Sequence, residues 1–133
     1  MKKIRYLLRH YPLTLLCLAL VWFLSLVITM PETPMDDVPF IDKWTHMVMY
    51  GGTCIVMWIE YMGCHDRLIG WKLWLFAIFG PIVMGGVIEL LQKYATTTRS
   101  GEWLDFWADC LGVLLAAGAG LLIHRYLFRR RFT

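Results

Sequence analysis

Charged residues are scarce in this chain of 133 residues, where Asp, Glu, Lys and Arg together make up only 17%. Hydrophobic residues make up 59%, and the mean hydropathy is +0.56. An ordinary soluble domain carries about 25% charged and about 45–50% apolar residues. The composition therefore argues against a typical soluble domain and indicates an integral membrane protein.

Cysteine patterns typical of metal binding or redox chemistry are absent. The four cysteines, Cys17, Cys54, Cys64 and Cys110, form no CxxC pair and no Cys/His spacing of the kind that binds zinc. We interpret them as small packing residues. The basic residues gather in two terminal clusters beside apolar runs, so nothing indicates a nucleic-acid partner. From these patterns we expect no cofactor and no resident metal.

Four apolar runs approach the length of about 20 residues that a helix needs to cross a bilayer. The whole chain, residues 1–133, is expected to form one domain with transmembrane helices at about 13–30, 44–61, 71–92 and 103–126. We interpret the first run as a membrane span rather than a cleaved signal peptide, because no small-x-small cleavage site follows it. Gly80-Pro81 predicts a kink in the third helix. The expected fold is an all-α membrane protein in which the four helices form an antiparallel bundle.

Lysine and arginine are unevenly divided between the two ends of these helices. Ten lie near the ends that include both chain termini, whereas the opposite ends hold only Lys43, Lys93 and Arg99. Because cytoplasmic segments carry an excess of basic residues, the sequence predicts that both termini face the cytoplasm. Eight of the ten acidic residues then fall on the outer side.

Polar residues that a bilayer disfavours gather at the outer ends of the last three helices. An ionisable group within a span is costly unless it pairs with another group or faces a water-filled cavity. Residues three or four apart share a helix face, so each helix presents its polar set on one side. We therefore predict an outward-facing polar pocket formed by Asp42, Lys43, His46, Tyr50, Glu89, Gln92, Arg99, Asp105 and Asp109.

Several uses of this pocket are open. Lys43 and Arg99 would hold an anion such as the phosphate of an envelope lipid or amphiphile. Alternatively, His46 or Glu89 would act as general acid or base in an enzyme that acts on a lipid-linked phosphate substrate. An ion or proton pathway is less favoured, because no chain of polar residues leads inward. In the simplest interpretation, the charges only hold the helices in register.

Small residues recur every fourth position in the last helix, at Gly112, Ala116 and Gly120. This pattern lets helices approach closely in lipid, either within one bundle or in a homo-oligomer. Glu60 lies near the inner end of the second helix, from where its side chain would reach the membrane interface. We assign Glu60 no role.

The polar residues occur in an order that resembles a known family. The pieces are D-K-x-x-H-x-x-x-Y at residues 42–50, E-x-x-Q at 89–92, Arg99, and D-x-x-x-D-x-x-G at 105–112. Together they resemble the VanZ-like family of small bacterial membrane proteins, over about residues 39–120. The resemblance implies a multi-pass protein of the bacterial inner membrane, in contact with membrane lipids. The founding member of the family confers low-level resistance to teicoplanin, which acts on cell-wall precursors. Asp109 departs from the pattern, since the family usually has asparagine there.

Overall fold

The computed structural model of the protein describes residues 1–27, 37–65, 70–97 and 101–128. All secondary-structure elements in these ranges are helices, which confirms the prediction of an all-α protein for the described part. In chain order they are α1 (Lys2–His10), α2 (Pro12–Leu26), α3 (Ile41–Cys64), α4 (Trp71–Ala95) and α5 (Trp103–Leu127).

The first predicted span is preceded by a separate helix, α1, which meets α2 at an angle of 92°. Pro12 begins α2, where the N–H that proline lacks would have had no helical partner. The carboxylate of Glu60 in α3 accepts hydrogen bonds of 2.6–2.9 Å from the backbone N–H groups of Leu13 and Thr14 and from the Thr14 hydroxyl. Glu60 therefore satisfies N–H groups at the start of α2, a structural role that the sequence had not indicated.

Helix α4 continues through Gly80-Pro81. Residues Leu75–Phe79 form a π-helical turn immediately before the proline, and α-helix resumes at Gly80. A π-helical turn shifts the hydrogen-bond pattern by one residue, which accommodates the N–H group that Pro81 lacks. The irregularity predicted at this point is therefore a π-helical turn within one helix, Trp71–Ala95.

Helices α3 and α5 approach to backbone contact at two glycines. A Cβ atom on Gly112 would collide with the carbonyl oxygen of Met47, and one on Gly51 would lie 3.2 Å from the carbonyl oxygen of Gly112. About two turns further along α5, Gly120 lies directly against the indole ring of Trp58 in α3. The small-residue stripe therefore packs against α3 within one chain, whereas a homo-oligomer through it stays a prediction.

The surface of the described helices is rich in apolar side chains, whereas charged groups lie inside. Phe76, Leu114 and Leu122 are all more than half exposed, while Glu89 is only 4% and Asp109 only 1% exposed. A soluble protein rarely buries acidic residues in this way, and lipid is the surrounding that fits the distribution. Helices α4 and α5 are each long and apolar enough to cross a membrane, and α1 and α2 meet the same criterion only when they are counted together despite the 92° bend between them. Helix α3 does not meet the same criterion of length and composition.

Polar contacts gather four helix ends into what we call the polar end of the molecule. They are Gln92–Ser25 at 2.8 Å, Glu89–Glu102 at 2.9 Å and Lys43–Asp105 at 3.0 Å. The end of α2, the start of α3, the end of α4 and the start of α5 therefore lie close together. The core beneath them is mainly apolar and contains Val21, Tyr50, Cys54, Ile88, Val113 and Ala116.

We expect Gly112→Ala to destabilise the protein, because the added methyl group would force α3 and α5 apart at Met47. Overpacking of this kind costs about 1–3 kcal/mol. Gly118→Ala is the matched control in the same helix, since nothing lies within 4 Å of its added Cβ. Thermal unfolding in detergent checks the expectation. A Gly112→Ala midpoint as high as that of Gly118→Ala would contradict the close packing of the two helices.

Candidate functional site

His46 lies between two aspartates of α5. Its Nδ1 is 3.0 Å from Oδ1 of Asp109, and its Nε2 is 3.8 Å from Oδ2 of Asp105. The His46 side chain is 12% exposed. The two aspartates are four residues apart and so share the face of α5 that packs on α3. The imidazole ring therefore has a carboxylate near each of its nitrogens.

Lys43, about one turn before His46 in α3, compensates the outermost carboxylates of this group. Its Nζ lies 2.7 Å from Oε2 of Glu102 and 3.0 Å from Oδ1 of Asp105. The contact with Asp105 is an ion pair and not a directed hydrogen bond. The two atoms are close, but Oδ1 of Asp105 accepts no hydrogen bond with suitable angles. Since Lys43 is already paired with two carboxylates of the chain, little of its charge is left for an external anion.

Helix α4 contributes two buried polar side chains that point to different neighbours. Oε2 of Glu89 accepts a 2.9 Å hydrogen bond from the backbone N–H of Glu102, which ties the start of α5 to α4. Gln92 instead donates a 2.8 Å hydrogen bond to the carbonyl oxygen of Ser25 in α2. Glu89 therefore faces the cluster around His46, whereas Gln92 links α4 to α2.

Buried polar atoms are left over at the centre of this cluster. Among the described residues, Oε1 of Glu89, Oδ2 of Asp109 and the hydroxyl of Tyr50 have no hydrogen-bond partner. Gly85 of α4 lets the helix backbone pack closely against them, because a Cβ there would lie 3.0 Å from Oδ2 of Asp109 and 3.4 Å from the Tyr50 ring. A buried polar group without a partner costs about 1–3 kcal/mol, and more when it is charged. Their convergence from three helices is typical of a ligand site rather than of a packing core.

His46, Glu89 and Asp109 form a compact set at the centre of this cluster, which we call the three-helix triad. One nitrogen or oxygen atom from each side chain lies within 4.8 Å of those of the other two. The three residues come from α3, α4 and α5, respectively. Their imidazole and carboxylate groups are the ligand types that divalent metals of intermediate hardness bind.

The predicted pocket and the observed cluster differ at Asp42, Gln92 and Glu102. Gln92 turns away from the cluster to Ser25 of α2. Asp42 is exposed, because eight residues of α-helix rotate it by about 80° from Tyr50 around the helix axis. Arg99 lies outside the described residues. Glu102 was not predicted as part of the pocket, although its spacing of three residues from Asp105 could have indicated a shared position at the helix start.

A shallow groove, open to the surroundings, lies beside Glu89 between α4 and α5. Its lining residues are Glu89, Leu90, Lys93, Gly101, Glu102 and Trp103. Leu90 and Trp103 expose about half of their surface and make one part of the groove apolar, while Lys93 supplies a cation. The groove therefore combines apolar and charged lining next to the buried triad.

No protein-family model, curated protein or solved structure matches the chain. The order of the polar residues along the sequence thus carries the resemblance to VanZ-like proteins by itself.

We expect Lys43→Met to destabilise the protein by about 1–3 kcal/mol, because it leaves the largely buried Asp105 carboxylate without its cation. Lys72→Met is the control, since Lys72 is exposed at the start of α4. The double variant Lys43→Met/Asp105→Asn should recover part of the loss. Chemical unfolding in mixed micelles measures these differences. Equal effects of Lys43→Met and Lys72→Met would rule out a stabilising ion pair.

Proposed function

We propose that this chain is a multi-pass membrane protein that binds the polar head group of a membrane amphiphile at the polar end. The observation that carries the proposal is that Glu89 and Asp109 each bury an oxygen that lacks a hydrogen-bond partner in the described part of the chain. Glu89 also lines a groove with an apolar side at Leu90 and Trp103. A ligand that brings hydroxyl or amine donors to the oxygens, and a hydrocarbon chain to the groove, would satisfy both features.

A phosphate-bearing head group suits the outer part of this site. Lys93 lines the groove, and Arg99 follows in the segment between α4 and α5. The phosphate would lie near Lys93, while hydroxyl groups of the same head group would contact Glu89 and Asp109. Arg99 stays a candidate for a second phosphate contact on the sequence alone. Lys43 is a less favourable anion ligand than the sequence suggested, because it is paired with carboxylates of the chain. The resemblance to VanZ-like proteins supports an amphiphile of the bacterial envelope as the ligand.

We further propose that α2, α3, α4 and α5 form an antiparallel bundle of four spans in the bacterial inner membrane. The contacts at the polar end support this arrangement, because they bring the ends of α2 and α4 together with the starts of α3 and α5, so consecutive helices run in opposite directions. Glu60 supports it from the opposite end, where the end of α3 meets the start of α2. Helix α3 is less apolar than α4 and α5, but His46 and Tyr50 turn inward from it rather than toward lipid.

Helix α1 supports a location of the N-terminus at the cytoplasmic surface. It lies at 92° to α2, so it would run in the plane of the interface when α2 crosses the membrane. Ile4, Leu7 and Leu8 are exposed and spaced for one helix face. Such a helix inserts its apolar face at the boundary of the acyl chains and keeps its basic residues among anionic head groups. The polar end would then open on the outer side of the membrane.

An enzyme that acts on a lipid-linked phosphate is the second candidate. The 3.0 Å contact between His46 and Asp109 favours it, because a carboxylate in this position orients an imidazole for acid/base chemistry. An ion or proton pathway has less support. The described core directly beneath the site contains Cys54, Ile88 and Val113 rather than a chain of ionisable groups.

A diazirine-labelled polyprenyl phosphate in nanodiscs tests the head-group proposal. We expect crosslinking near the end of α4 and the start of α5, reduced roughly tenfold in Lys93→Ala and Arg99→Ala, because each removes a charge-assisted contact worth about 1.5–3 kcal/mol. Lys72→Ala, at the other end of the same helix, is the matched control.

Crosslinking that is unaffected by both Lys93→Ala and Arg99→Ala would sink the proposal. Release of a product from the probe by the wild-type protein, abolished in His46→Ala, would decide for the enzyme instead.

A further inference from the structure

We propose that the three-helix triad, His46, Glu89 and Asp109, binds one divalent metal ion of the first transition series. The sequence contains only one histidine in this region and no local metal-ligand motif, which is why no metal was expected from it. The fold changes this assessment, because it brings one coordinating atom of each residue within 4.8 Å of the others.

Two of the three ligands have an oxygen that the described residues leave unused. Oε1 of Glu89 and Oδ2 of Asp109 are buried and have no hydrogen-bond partner there, and their side chains are 4% and 1% exposed. An ionised carboxylate oxygen is an acceptor only, so a buried one needs either a donor or a cation. The described residues provide neither to these two atoms.

The separation of the ligand atoms is compatible with a common ion. Nδ1 of His46 lies 3.0 Å from Oδ1 of Asp109. Neighbouring ligands of an octahedral ion with bonds of about 2.1 Å are about 3.0 Å apart, and opposite ligands are about 4.2 Å apart. The ligand atoms of the triad lie within 4.8 Å of one another. This limit is less than an ångström above the separation of two opposite ligands in an octahedral site. Small side-chain rotations of Glu89 would therefore close the site around an ion.

Asp105 is placed to orient the histidine of such a site. Its Oδ2 lies 3.8 Å from Nε2 of His46, the nitrogen that carries the proton when Nδ1 binds the metal. This distance exceeds that of a hydrogen bond, so the side chains must move slightly closer for Asp105 to accept that proton. Histidines that bind metals commonly donate this second N–H to a carboxylate, which fixes the tautomer and increases the basicity of the ligand. Lys43 holds the other oxygen of Asp105 at 3.0 Å. Asp105 and Lys43 are therefore positioning residues rather than ligands.

The balance of charge also favours a divalent cation. Lys43 is paired with Asp105 and Glu102, so Glu89 and Asp109, when both are ionised beside a neutral His46, would leave two negative charges in the interior. Uncompensated charge in a membrane span is costly, and an ion of charge +2 would neutralise it. A set of one imidazole and two carboxylates suits Mn²⁺, Fe²⁺ or Zn²⁺ better than the soft ion Cu⁺.

The metal site would also explain how an acidic cluster takes an anionic head group, since a metal ion can bridge carboxylates and a phosphate. This bridging role rests on the proposed function, whereas metal binding by the triad does not.

Titration of the chelator-treated protein with MnCl₂ and with ZnCl₂, in detergent without added amphiphile, tests the inference. Calorimetry and elemental analysis should find one ion per chain. Glu89→Gln and Asp109→Asn should each weaken binding by at least tenfold, and Asp105→Asn by about 10–100-fold through the loss of histidine orientation. Glu60→Gln, which changes a carboxylate at the opposite end of α3, should bind as the wild type does.

A second variant guards against misfolding of these substitutions. Glu89→Cys replaces a carboxylate ligand by a thiolate, so its Co²⁺ complex should show a sulfur-to-metal charge-transfer band that the wild type lacks. The inference is overturned if the wild type binds no ion, if binding persists unchanged in both Glu89→Gln and Asp109→Asn, or if Glu89→Cys gives no such band. Amphiphile crosslinking that survives in the absence of metal binding would leave the proposed function standing and remove only the metal. Metal binding without amphiphile crosslinking would leave the metal site standing and remove the proposed function.

Discussion

The imidazole of His46 and the carboxylate of Asp109 meet across the interface of α3 and α5 at 3.0 Å. Gly51 and Gly112 make this contact feasible, because they let the two backbones approach more closely than any side chain would allow. Lipid solvates an apolar helix face about as well as a neighbouring helix does. Apolar surface alone therefore gives little specificity for which helices pack together. The buried polar groups provide this specificity, since each needs a partner inside the protein.

Carboxylates at the two ends of the molecule have different environments. Both carboxylate oxygens of Glu60 accept hydrogen bonds from the start of α2, three in all, at distances of 2.6–2.9 Å. Glu89 and Asp109 each satisfy one oxygen and leave the other without a partner among the described residues. A group that only holds helices together is expected to be fully satisfied, as Glu60 is. The oxygens of Glu89 and Asp109 that lack a partner among the described residues are the reason for proposing a ligand site at the polar end.

Helix positions and most of the polar cluster follow from patterns within the sequence. The predicted spans 71–92 and 103–126 correspond closely to α4 and α5, because apolar runs of this length have few alternatives. Which helix a polar side chain contacts does not follow from such patterns, because it depends on how the helices pack. Nothing local distinguishes Gln92, which turns toward α2, from Glu89 one turn earlier. The partners of Glu60 likewise lie 46 and 47 residues away in sequence. The break before Pro12 was missed because a basic helix beside an apolar run resembles a flanking segment.

A double-mutant cycle of His46→Ala and Asp109→Ala tests most directly whether a buried polar contact joins α3 to α5. The measured quantity is the free energy of unfolding in mixed micelles for the wild type, both single variants and the double variant. Our account predicts a coupling energy of about 1–3 kcal/mol, as expected for residues in direct contact. The same cycle with Glu60→Ala in place of His46→Ala should show no coupling to Asp109. Additive effects of His46→Ala and Asp109→Ala, within about 0.5 kcal/mol, would contradict the account.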